Sequence, residues 1–216
     1  MNFLNKLQRK YGKFAIPNLM LHITILNAIV YISAFISDSL FGNFDLISYM
    51  RLYPQLVMQG QIWRIITFVF VPPLSGILLT AIALYFYYFI GSSLERTWGS
   101  FKFTVYYLLG ILLSAAASMI SGFPIDGTYL NLSLFFAFAM LYPNMEILFF
   151  FVIPMKIKYL AYIDAAFYAY MLIRGSGSER IAIIGSLLNF LLFFGTDIYK
   201  FIKLKIRVAQ NRSRYR

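Results

Sequence analysis

The chain has 216 residues, of which 61% are hydrophobic, 19% aromatic and 12% charged, with a net charge of +11. Soluble domains carry about 25% charged residues, so these charges are too few to coat a water-soluble globule, and the aromatic content excludes a disordered or collagen-like chain. With no cysteine and one histidine, His22, disulfides, thiolate nucleophiles and Cys- or multi-His metal sites are excluded, and no cofactor is expected.

The mean hydropathy of +0.73 specifies a polytopic membrane protein. Six spans of about 20 residues would use about 120 positions, leaving no room for a second folded unit. In residues 1–15, Leu4, Leu7, Tyr11 and Phe14 recur at helical spacing while Lys6, Arg9, Lys10 and Lys13 lie elsewhere on the wheel. That pattern predicts an amphipathic segment on the inner leaflet. It does not read as a cleaved leader, because the apolar run begins late, at Phe14, and no small-x-small site follows.

An all-α membrane domain is expected over 16–199, with helices at 16–37, 74–91, 101–120, 128–142, 159–173 and 181–199. The fourth is short for a span, so it is either sunk within the others or extended at one end. Ser39–Pro73 reads as a long first loop, with Ile65–Val71 at the membrane surface or dipping into it, because Pro72-Pro73 separates that run from the second helix. Pro143-Asn144 and Gly175-Ser176-Gly177-Ser178 are turn signals. The first of the glycines does not open a phosphate cradle, which needs a preceding strand. Residues 200–216 form a basic tail, suited to anionic headgroups at about 1 kcal/mol per basic residue; nucleic acid is not an expected partner.

Fifteen of the 19 basic residues fall on one side of this arrangement, with only Arg51, Arg64, Arg174 and Arg180 opposite. By the positive-inside rule both termini are cytoplasmic. Compact loops and the expected lack of a cleavable leader fit a bacterial plasma membrane, with the endoplasmic reticulum as the alternative.

Several segments taken in order resemble the rhomboid superfamily. Trp63-Arg64 matches the Trp-Arg motif of the first loop, and Gly91, Leu94-Glu95 and Gly99 match the G-x-x-L-E-x-x-x-G pattern closing the second helix. Leu141-Tyr142-Pro143-Asn144 and Ile153-Pro154-Met155-Lys156 resemble the connection from fourth to fifth helix. The order holds over roughly residues 58–165. What the resemblance implies is a six-helix rhomboid-like bundle in which Trp63 and Arg64 anchor the first loop and Glu95 fixes the end of the second helix, with Arg96 or Lys102 nearby.

The resemblance breaks where proteolytic chemistry would lie. Active rhomboids carry Gly-x-Ser-Gly at the fourth helix and a histidine base on the sixth; here the fourth begins Asp126-Gly127-Thr128-Tyr129-Leu130-Asn131-Leu132-Ser133, and the sixth offers Ser186 and Asn189. A serine hydroxyl without a base is a poor nucleophile, and His22 lies on the first helix. The resemblance therefore implies a pseudoprotease, comparable to the Derlin branch, that binds or chaperones transmembrane clients without cutting them. The alternatives are an intramembrane serine peptidase with an atypical site at Ser133 or Thr128, and a small transporter using Asp164 and His22.

Candidate client-facing polar residues are Thr128, Tyr129, Asn131, Ser133 and Asn189. His22 and Asn27 are expected to hydrogen-bond between helices. Asp164 lies about 9 Å beyond Lys158 along a helix. It is either a client, ion or proton site or a polar clasp to another helix near Tyr168, the clasp being expected. Gly110, Ser114, Ala115–Ala117 and Ser118 form a small-residue stripe for close packing. Phe149-Phe150-Phe151 and Phe193-Phe194 give no cofactor signal.

Overall fold

The computed structural model describes residues 2–41, 45–73, 76–149 and 153–214. Helix α1 (Asn2–Tyr11) carries the amphipathic pattern, followed by a 3-10 turn at Gly12–Phe14 and α2 (Leu19–Phe41). Three short helices follow: α3 (Leu46–Met50), α4 (Pro54–Met58) and α5 (Arg64–Thr67). The long elements are α6 (Ile77–Trp98), α7 (Ser100–Ser121), α8 (Thr128–Leu141), α9 (Ile157–Arg174) and α10 (Gly177–Arg214). Among the described residues, four segments are long and apolar enough to cross a membrane: Leu19–Ser37, Ile77–Trp98, Ser100–Ser121 and Gly177–Gly195. Helix α8 is shorter than a span, and α9 carries Lys158, Asp164 and Arg174.

The expected helix ends move where glycine was misread. Gly91 does not stop α6; a Cβ there would overlap the Met20 side chain, so the missing side chain lets α2 and α6 approach closely. The stop is Gly99, whose φ of 81° favours glycine and whose N–H returns to Glu95 O at 2.8 Å. Likewise the last helix does not end at 199 but runs to Arg214, because Lys, Arg and Gln are good helix formers and no proline interrupts them. The start of the second expected helix, Leu74 and Ser75, and Phe150, Phe151 and Arg216 lie outside the described residues.

The connections before α6 and after α8 carry structure of their own. Within Ile65–Val71, Phe68, Val69 and Val71 are buried while Ile66 is exposed, and Val69 O accepts Asn27 Nδ2 at 3.2 Å. The 3-10 turn at Phe68–Phe70 packs beside α2. Between α8 and α9 the chain forms an antiparallel hairpin, β1 (Glu146–Phe149) with β2 (Ile153–Lys156), which pairs Pro154 with Leu148. Lys158 closes its base, Nζ donating to Asn144 Oδ1 at 3.2 Å and the backbone N–H to Pro143 O.

Helix α8 is the centre of the core. Eight of its 14 residues are buried, among them Leu130, Ser133, Leu134 and Phe138, so the short fourth helix is sunk within the others. An all-round apolar helix is stable only when neighbours enclose it. Helices α6, α7 and α10 do so, and α7 packs closely on α10 through small residues. A Cβ on Gly110 would overlap Leu130 and Asn189, and one on Gly185 would overlap Ala117. By contrast α9 buries only Ile157 and Ala161 and leans on α8 and α10 at the edge.

Gly185→Ala is expected to destabilise the folded protein by about 1–3 kcal/mol through overpacking. Ala117→Gly in the same chain should recover part of that loss, measured as the unfolding midpoint in detergent.

Candidate functional site: a buried serine network and a polar patch beside it

Arg64 organises the loop that precedes α6. It is 3% exposed, yet its hydrogen bonds are well formed: Nε donates to Gln61 Oε1 at 2.7 Å, and Nη1 donates to Ser48 O at 2.6 Å and Arg51 O at 2.7 Å. The guanidinium also lies over the rings of Tyr49 and Tyr53, at 5.4 and 5.7 Å. Trp63 stacks on the other partner of this cluster, Tyr49, with ring centroids 5.4 Å apart. Five fixed donors on one planar cation suit it to gathering several carbonyls. Asp45 caps α3 by accepting from Ser48, and those hydrogen bonds hold its carboxyl below the ordinary carboxylate range.

This loop is tied in turn to the start of α8. Arg51 Nη2 meets Asp126 Oδ2 at 3.0 Å, and Leu52 and Ile125 exchange backbone hydrogen bonds of 3.1 Å each. The other Asp126 oxygen accepts Thr128 N–H at 3.0 Å. Trp63 and Arg64 therefore act through position: they fix the strap that fixes the first turn of α8.

At the opposite end, Glu95 is held without a cation. Its Oε1 accepts Asn18 N–H at 2.8 Å and Ser100 Oγ at 2.7 Å, so the expected partners Arg96 and Lys102 are replaced by a backbone amide and a hydroxyl. Asn18 has a φ of 53°, which places its N–H beside the carboxylate at the start of α2.

Ser133 and Asn189 face each other inside the bundle, both with no exposed surface. Tyr106 OH lies 2.6 Å from Ser133 Oγ and 2.9 Å from Ser133 O. Asn189 Nδ2 donates to Tyr106 O at 3.2 Å and reaches Ser133 Oγ at 3.4 Å. Asn189 Oδ1 has no hydrogen-bond partner among the described residues, nor does Ser114 Oγ. Ser186 is also buried but turns back to Ile183 O at 2.8 Å. A carboxamide and a phenol orient the hydroxyl, but neither is a base able to take its proton. The network holds helices α7, α8 and α10 in register.

Thr128, Tyr129 and Asn131 are not part of that network. Thr128 is exposed and the other two are half-buried. Tyr129 and Asn131 belong instead to a polar patch, related through electrostatic reach, with Tyr87 on α6 and Asp164 and Tyr168 on α9. Asn131 interacts with the Tyr87 hydroxyl, and the Asp164 carboxylate is within electrostatic reach of Tyr87 and Tyr168. Asp126 acts on Tyr87, Tyr129 and Tyr168 as well. Asp164 makes no hydrogen bond or ion pair among the described residues, so the expected clasp to another helix is absent there. His22 is exposed and bonds Asn18 O of its own helix turn at 2.9 Å; it does not bridge helices. Asn27 does cross between elements, through Val69 O.

Sequence reasoning missed Tyr106, Gln61, Tyr87 and Asp126. Tyr106 was hidden in an aromatic run, and the others have no local pattern that reports a partner so distant in the chain. No group of three or more potential metal ligands occurs among the described residues.

Arg64→Lys keeps the charge but not the planar fork. It should free the strap, read as faster proteolysis between 45 and 64, with a stability loss of about 1–3 kcal/mol from carbonyls left unpaired. A fluorophosphonate probe is expected to label neither the intact protein nor Ser133→Ala above background. Labelling that disappears in Ser133→Ala would count against the absence of a base.

A comparison with curated proteins gives no match. The family model of the Der1-like family matches residues 22–205, which contain all the long helices from α6 to α9 and nearly all of α2. Derlins fall within the rhomboid-like superfamily, in line with the resemblance of the Trp63-Arg64 and Gly91–Gly99 motifs. The chain is a multi-pass membrane protein that belongs to the Der1-like family.

Proposed function

We propose that this protein is a rhomboid-like pseudoprotease that receives transmembrane client segments without cleaving them. The observation that carries the reading is the division of polar groups around α8. Of the two candidate nucleophilic hydroxyls, Ser133 has no exposed surface and meets Tyr106 and Asn189, while Thr128 is exposed and outside that network. The single histidine, His22, is turned to Asn18 O and serves neither among the described residues. The accessible groups, Thr128, Tyr129, Asn131, Asp164 and the two tyrosines beside them, are hydrogen-bonding and not catalytic in character.

In this reading α2, α6, α7, α8, α9 and α10 make six spans and both termini lie in the cytoplasm, as the skew of basic residues supports. Residues 1–15 and 200–216 flank the 16–199 bundle and rest against anionic headgroups. Helix α8 spans only about 21 Å against a hydrocarbon core of about 30 Å. Lipid beside it must thin, or water must enter, and either lowers the cost of a polar residue in a client helix. A client approaching between α6 and α9 finds donors and acceptors that the lipid cannot offer.

The test is a photo-crosslinking residue placed in cells at Tyr129 or Asn131, with Ile120 on the exposed face of α7 as control. Full-length membrane proteins should be captured from 129 and 131 well above the level at 120. Equal capture at all three positions, or recovery of cut clients only, would refute the proposal.

A further inference from the structure

Asp164 stands apart from every other described carboxylate whose partners are known. Asp126 pairs with Arg51, Glu95 accepts from Asn18 and Ser100, Asp45 caps α3, and Glu146 meets Lys156 at 3.8 Å. Asp164 sits mid-helix on the half-buried stripe of α9 that includes Ile157, Ala161 and Tyr168, the side that packs toward α8 and α10. Tyr168 lies one turn on along the same helix and Tyr87 is within electrostatic reach, and no cation pairs with Asp164 among the described residues.

The chain's own basic groups near this end are committed elsewhere. Arg64 is held by Gln61 and the carbonyls of Ser48 and Arg51, and Arg180 donates to Ile173 O at 2.7 Å and Gly175 O at 3.0 Å. Arg174 is ten residues away on the same helix, about 15 Å along its axis. Lys158 holds Asn144. One carboxylate with phenols is also a poor site for a calcium or magnesium ion, which takes six or more oxygens.

We propose that Asp164 accepts the ammonium or guanidinium of a client transmembrane helix that carries a Lys or Arg about 9 Å inside the bilayer. This rests on the client-binding reading and names the class of client. A lone intramembrane carboxylate and a lone intramembrane cation are each costly in lipid, and pairing relieves both. The phenols and Asn131 supply the remaining hydrogen bonds that a buried pair needs. Selectivity then favours segments whose basic residue lacks a partner of its own.

The full-length protein is reconstituted in phosphatidylcholine liposomes with single-span test helices of leucine and alanine. Each helix bears a photo-crosslinker and one variable residue, Lys, Asn or Leu, moved stepwise through the full depth of the bilayer. The Lys helix should be captured at least about tenfold more than the Leu helix at one depth, and Asp164→Asn should remove that excess. An unfolding midpoint in detergent equal to that of the parent protein shows that the variant is folded. Asp164→Lys should transfer the preference to a helix bearing Glu. A Lys preference that survives Asp164→Asn overturns the inference, as does Asp164-dependent crosslinking between two copies of this chain in place of the helix. Capture of the Asn helix with no Lys excess defeats the inference alone. Capture of neither polar helix defeats the client-binding reading with it.

Discussion

The close approach of α7 to α10 is the constraint on which the rest of the bundle depends. Gly110 and Gly185 remove the side chains that would hold the two helices apart. Dispersion falls off steeply with separation, so a gap of even one methyl group would forfeit contacts along both helices. Because they meet so tightly, α8 is enclosed on the remaining side and can be both short and apolar all round. The Tyr106–Ser133–Asn189 bonds then fix its rotation, since a quarter turn of α8 would bury Ser133 Oγ without a partner. Desolvating an unpaired hydroxyl costs about 1–3 kcal/mol, enough to choose one register among apolar packings of similar energy.

The first loop extends this constraint to the far end of α8. Arg64 gathers the carbonyls of Ser48 and Arg51, Arg51 meets Asp126, and Asp126 holds the Thr128 amide. The Arg51–Asp126 pair is partly exposed, so its Coulomb energy alone is small. Its effect is geometric: together with the Leu52–Ile125 bridge it stops the first turn of α8 from fraying. The patch residues Tyr129 and Asn131 follow directly in that turn and the next, so the strap also sets where they point. Position, rather than charge, is what the Trp-Arg motif contributes.

The long helices were legible because apolar runs of span length have few other meanings. Their ends were less so. Gly91 and Gly99 look alike in sequence, yet one permits a helix contact and the other adopts a positive φ, a distinction made by Met20 far upstream. The hairpin at Glu146–Lys156 was read as a plain connection because no Asn-Gly or Asp-Gly turn marks it. Of the candidate polar residues, Ser133 and Asn189 proved to be neighbours, while Thr128, Tyr129 and Asn131 open elsewhere. Which of two polar positions on one helix faces inward depends on rotation, and α8 has almost no amphipathic asymmetry to reveal it. Tyr106 and Asp126 act across 27 and 75 residues of chain, respectively; such pairings leave no periodic trace.

Helix α10 continues for 38 residues without a break. At 1.5 Å per residue that is about 57 Å, nearly twice the hydrocarbon thickness of a bilayer. This rod packs on α7 and α8, and its second half continues beyond Gly177–Gly195, the part that is long and apolar enough to cross a membrane. A tilt of about 10° about its first turn would carry the tip sideways by about 10 Å, from the length and rise alone. The rod is a lever arm: small changes in how α9 and α8 sit against its upper turns become large displacements of a positively charged end.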